Sequence, residues 1–106
     1  MRITIQSHGF ILTEALRTYV EQRVRAALGW SSSRLRKLVV SLSDINGPRG
    51  GNADLRCSME ARINGIPPVA AIDEGNSVDR AVIGAAKKVV RAIDHQLGKL
   101  GDRKGH

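Results

Sequence analysis

Apolar positions recur along this chain with two different periods, and the changes from one to the other divide it into elements. Ile3 and Ile5 alternate with Arg2, Thr4 and Gln6, the period of a half-buried strand over residues 2–6. A loop through Ser7, His8 and Gly9 follows. The spacing then becomes helical, with Leu16, Tyr19, Val20, Val24, Ala27 and Leu28 as the expected buried stripe. Thr13 is placed to cap this helix, Glu14 to complement its dipole and Gly29 to end it. Alternation returns in residues 38–43, through Leu38, Val40 and Leu42, and in residues 54–63, through Leu55, Cys57, Met59, Ala61 and Ile63. A glycine-rich connection over residues 44–52 joins these two strands. Asn64-Gly65 signals a hairpin, and residues 69–73 make the returning strand after Pro67 and Pro68. Ser77 caps a last helix in which Val78, Val82, Ala85, Ala86, Val89, Ile93 and Leu97 fall within about 60° of one line.

The order is therefore strand, helix, three strands, helix. The first crossover must return parallel, and the short later links favour antiparallel pairing. The expected fold is α+β, a mixed four-stranded sheet with both helices on one face, as in a double-stranded RNA-binding domain. Arg2, Thr4, Gln6, Arg56, Ser58, Glu60 and Arg62 suit the other, open face. At this length one domain is expected, over residues 1–98, with residues 99–106 as a flexible basic tail.

Charge gives the last helix a second meaning. Opposite its apolar stripe lie Arg80, Lys87, Lys88, Arg91 and His95. Seventeen Lys and Arg against ten Asp and Glu leave a net charge of +7 on the chain, which makes a polyanion the leading partner. A helix that docks one side on a core and turns four permanent cations outward can neutralise several phosphates of one backbone. Arg34, Arg36 and Lys37 form a second basic cluster that would extend this footprint. A membrane surface fits less well, since no apolar run approaches the ~18 residues of a membrane span and no basic helix carries Trp or Phe anchors. The first residues lack the apolar segment and cleavage site of a signal peptide, so the expected location is the cytoplasm.

Catalytic and cofactor chemistry find little support. His8, His95 and His106 have no metal-ligand spacing, and Cys57 is the only cysteine, expected as a small reduced core residue. Asp73 and Glu74 are adjacent strand residues that point to opposite faces, so they suit the positive end of the last helix, together with Asp79, better than paired acid and base work. The stretch from Gly47 to Asn52, with Arg49, lacks the Lys-Ser or Lys-Thr of a P-loop and joins two strands. With 3% aromatic residues there is no platform for stacking bases, and Trp30 is expected as a lid on the core. No cofactor, metal or small-molecule substrate is expected.

Four segments carry a family resemblance. Ile3-Thr4-Ile5, the stretch from Leu12 to Glu21 containing Thr13-Glu14-Ala15-Leu16-Arg17, Leu38-Val39-Val40-Ser41-Leu42, and Asp73-Glu74-Gly75-Asn76 before the basic helix resemble the ribosome hibernation-promoting factors, a family that includes ribosome-associated inhibitor A and the sigma-factor modulation proteins. The similarity covers nearly the whole chain in order. It implies binding to the small ribosomal subunit and its rRNA, in the channel for messenger and transfer RNA, to silence idle ribosomes by occupancy. Carried over, the RNA-facing positions are Lys87, Lys88 and Arg91, with Arg80 next. The family often has an aromatic where Asp79 stands and a denser lysine run after Asp94. Its long members carry a C-terminal dimerisation domain, so this sequence resembles a short form or the N-terminal part of a long one. Charge and pattern alone also fit a general double-stranded RNA-binding module, or a protein-interaction domain without RNA.

Overall fold

The computed structural model describes residues 2–29, 33–45 and 55–105, with side chains as far as residue 98. Trp30 and most of the glycine-rich connection, Arg49 included, lie outside the described residues. The elements follow the order β1 (Arg2–His8), α1 (Glu14–Leu28), β2 (Leu35–Asp44), β3 (Leu55–Ile63), β4 (Val69–Gly75) and α2 (Val78–Gly105). The strands lie in the order β1-β2-β3-β4 in one sheet. β1 runs parallel to β2, and the two later pairings are antiparallel. This is the mixed α+β sheet expected from the sequence.

Local chemistry sets the helix ends. Thr13 stays extended and its hydroxyl accepts the Leu16 N–H at 3.1 Å, satisfying one of the orphan donors of the first turn. At the other end Gly29 takes φ +56, where side chains are strained, and its N–H reaches the Arg25 carbonyl. Ser77 repeats the N-terminal device in α2, its hydroxyl accepting the Arg80 N–H at 3.2 Å. Gly75 is required by a close approach, because a Cβ there would stand 2.7 Å from the Arg80 Cβ. The tight step from β4 into α2 is possible only without a side chain at that position.

One face of the sheet is covered and the other is open. Ile5, Val40 and Met59 are register partners on the covered face, as are Leu42 and Cys57. They pack with Val20, Val24 and Leu28 of α1 and with Ala81, Val82, Ala85, Ala86, Val89 and Ile93 of α2, all buried. The alanines of α2 bring its backbone close to β3 and β4, so much of this core depends on small residues.

Four expectations change. β1 runs on through Ser7 and His8, which the sequence placed in a loop, because both continue the pairing with β2 opposite Leu42 and Ser43. Tyr19 is 42% exposed rather than part of the buried stripe. The fully buried line of α1 is Val20, Val24 and Leu28, at strict four-residue spacing, and Tyr19 sits a quarter-turn off it. β2 begins at Leu35, three residues early, because a bulge at Arg36 lets Leu35 and Leu38 both be buried. The backbone of α2 remains helical through Gly105, past the glycine-broken stretch from Gly98. Glycine in a helix costs about 1 kcal/mol relative to alanine but keeps its N–H, so it weakens the hydrogen-bond ladder without cutting it.

Candidate nucleic-acid interface

The cations fall on two faces of the molecule. Arg80, Lys87 and Arg91 form a ridge along α2, within about 20° of one line on a helical wheel, and all three are exposed on the side turned away from the core. Eleven residues of helix separate the first from the last, about 17 Å, a span over which several phosphates of one strand are in reach.

Lys88 is expected with this ridge but turns aside. Its Nζ donates to the Ile72 carbonyl at 3.0 Å and stands 3.4 Å from an Asp73 carboxylate oxygen. Asp73 lies on the covered face, in register with Cys57, and its carboxylate fills the space beside Gly84. A Cβ at position 84 would overlap that carboxylate. Lys88 is therefore a half-exposed clasp between α2 and β4, with part of its charge already matched.

Asp79 makes the corresponding clasp between the helices. Its carboxylate accepts from Arg23 Nε at 2.7 Å and from the Tyr19 hydroxyl at 2.9 Å. The hydrogen bond to Asp79 is the main reason the Tyr19 hydroxyl is pushed above its ordinary pKa, since ionisation would remove the donor. Asp79 lies in the first turn of α2, but Asp73 and Glu74 serve side-chain partners and not the helix end expected for them. The opposite facing of these two adjacent acids is as expected: Asp73 meets Lys88 on the covered side and Glu74 holds Arg56 on the open one. Arg23 and Lys87 flank a shallow groove between α1 and α2, floored by Ala26, Ala27 and Ile83. Periodicity alone does not single out Arg23, although its place one turn before Ala27 marks it as a border residue between core and solvent.

Arg36 and Lys37 lie on the opposite side of the protein, on the open sheet face. Register partners run Leu35 with Ile63 and then Lys37 with Arg62, so Arg36 is an extra residue in a β-bulge. Leu35 and Leu38 are both buried, which three-residue spacing forbids in a regular strand. The bulge reconciles them and leaves both intervening cations exposed. Arg2 pairs in register with Lys37, and Arg2, Arg36, Lys37 and Arg62 together line a concavity of about 570 Å³. Arg34 is exposed in the turn before β2. Arg36 and Lys37 are thus off the α2 ridge and stand with Arg2 and Arg62, which the sequence placed on the open face without assigning them a role.

Cys57 is buried, and loss of hydration raises its thiol pKa to about 12, with the Asp73 charge adding to the effect. Among the described residues no three His, Cys, Asp or Glu side chains group as metal ligands. No described helix is long and apolar enough to cross a membrane.

Among solved structures, the chain resembles a ribosomal subunit interface protein from Coxiella burnetii, with TM-score 0.71 and 13% identity over 90% of this chain and 96% of the other. It also resembles the Protein Y N-terminal domain of Thermus thermophilus, with TM-score 0.61 and 23% identity over 86% and 98% of the two chains. At these identities the likeness is one of fold. No curated protein matches the sequence. Kinship is carried by the sequence itself: residues 3–104 match the family described as sigma 54 modulation protein / S30EA ribosomal protein, and to that family this chain belongs.

Proposed function

We propose that this protein binds the small ribosomal subunit in the channel for messenger and transfer RNA and silences idle ribosomes by occupying it. The observation that carries the reading is the α2 ridge, where Arg80, Lys87 and Arg91 stand in line and exposed on a helix whose other side is locked into the core. Contacts of this kind hold a protein on phosphates without reading sequence, which suits a partner recognised by the shape of folded RNA. Family membership over residues 3–104 and the resemblance to a ribosomal subunit interface protein support a ribosomal partner. The protein works in the cytoplasm, where ribosomes are, and acts by binding rather than by catalysis.

Co-sedimentation with purified small subunits and whole ribosomes, with a free RNA duplex as competitor, tests this. Saturation near one protein per small subunit, resistance to the duplex and loss of in vitro translation are expected. Binding that the duplex strips away would assign a general RNA-binding module instead.

A further inference from the structure

We propose that Arg2, Arg36, Lys37 and Arg62 form a second phosphate-binding site, which holds an RNA backbone segment other than the one lying along α2. The inference rests on the ribosomal reading only for which RNA is bound.

The open sheet face is electrically lopsided. At one end Arg56 holds Glu74 in a fork, with Nε and Nη2 both donating to Oε2 at 3.0 and 2.9 Å, and the two charges cancel. At the other end four cations line one concavity, and only Arg62 has an acid at hand, Glu60 at 3.3 Å. Among the described residues no carboxylate lies within ion-pair distance of Arg2, Arg36 or Lys37. Such a cluster is self-repelling, and the bulge assembles it by placing two consecutive side chains of β2 on the surface beside the Arg2 and Arg62 positions. An anion supplies what the fold leaves out.

Its chemistry selects the anion. Three of the four groups are guanidinium forks, whose paired N–H donors match phosphate oxygens. All four are exposed, so the concavity cannot bury a small anion away from water. A polyanion gains by adding several weak contacts and releasing counterions, and needs no burial. No Phe, Tyr or Trp lies on this face among the described residues, and His8 stands at the far end of β1 from the concavity, so the backbone of RNA is the part bound, not its bases. The site faces away from the α2 ridge, with the sheet and helix layers between them. A single extended backbone cannot touch both without wrapping an edge strand, so the two sites take separate segments and the protein is gripped from two sides.

The test is an amide NMR titration of the full chain with a short RNA duplex at several salt concentrations, for the wild type and two variants whose thermal midpoints are measured first. One variant combines Arg36→Gln, Lys37→Gln and Arg62→Gln; the other combines Lys87→Gln and Arg91→Gln. Two sets of shifts are expected, one along α2 and one at residues 2, 36, 37 and 62. The three-residue variant should lose only the second set, and its slope of log affinity against log salt for small subunits should fall by about 2 to 3. If that variant does not fold, Lys37→Gln alone should lose the same set with a smaller change in slope. No shift at residues 36, 37 and 62 while α2 responds overturns the proposal, as does a titration that moves neither set. Equal shifts there with a polyglutamate peptide overturn it in favour of an acidic protein partner. Shifts at both sites without retention on small subunits would leave the site standing and remove the ribosomal reading.

Discussion

The carboxylate of Asp73 occupies the space in which any side chain at position 84 would begin. Gly84 is therefore the opening in α2 through which an acid on β4 reaches the Lys88 ammonium, and it joins the last strand to the basic helix. Mid-helix glycine normally weakens a helix by about 0.5 to 1 kcal/mol relative to alanine. Here Gly84→Ala is expected to destabilise by about 1 to 3 kcal/mol, because the overlap forces either the carboxylate or the helix to move. Urea unfolding measures this, and Asp73→Ala combined with Gly84→Ala should recover stability relative to Gly84→Ala alone.

The lysines of α2 should not be equal. Reversing charge at Lys87 and Arg91 is expected to weaken ribosome binding and flatten its salt dependence, by roughly 0.7 to 0.9 in slope for each phosphate no longer neutralised, with folding intact. Lys88→Gln should change the slope less, because its ammonium is committed to Ile72 and Asp73, and should instead lower the thermal midpoint. Binding isotherms at three salt concentrations, set beside melting curves, separate the two behaviours. Adding Lys88 to the charge reversal at Lys87 and Arg91 should weaken binding in a protein that still folds.

Much of this architecture can be read from the residues. Thr13, Ser77 and Gly29 announce their helix ends through chemistry that acts within three or four positions, and the strands through a period of two. What the pattern leaves open is set by partners distant in sequence. Tyr19 reads as part of the buried stripe, but it stands off the fully buried line of α1, and its hydroxyl meets a partner sixty residues away, Asp79, at the surface. The commitment of Lys88 depends on where β4 passes under α2. Arg34, Arg36 and Lys37 read as one basic cluster that extends the electrostatic footprint, because the sequence shows their charge and not their direction. Only the bulge, implied by the spacing of Leu35 and Leu38, shows which face Arg36 and Lys37 occupy.

The Tyr19 hydroxyl provides a spectroscopic reading of the helix clasp. Its pKa is raised by the bond to Asp79, so its phenolate absorbance should appear at higher pH than that of a free tyrosine. Asp79→Asn should bring the transition back toward the ordinary value. The accompanying loss of stability should be small, as for other exposed pairs. An unchanged titration in that variant would mean the hydroxyl has another partner in solution.

Burial of Cys57 predicts both a reactivity and a pH dependence. A thiol raised to about 12 stays protonated, so alkylation of the native protein at mildly alkaline pH should be slow and become fast on unfolding. Between the ordinary thiol value of 9.0 and about 12, the unfolded chain loses this proton while the folded chain keeps it. Stability from this group is thus complete below pH 9 and falls as pH rises, by up to about 1.4 kcal/mol per pH unit. The steepness should diminish in Cys57→Ala, which can be read from urea midpoints across that range.

A protein that works by filling the channel of the small subunit must exclude the RNAs that normally lie there. Displacement of fluorescent transfer RNA and messenger RNA from purified small subunits, followed as the protein is added at moderate salt, measures this exclusion. Loss of both ligands is expected with a midpoint near one protein per subunit, and weaker displacement by the Lys87 and Arg91 charge-reversal variant. Saturating binding that leaves both RNAs in place would contradict occupancy of the channel.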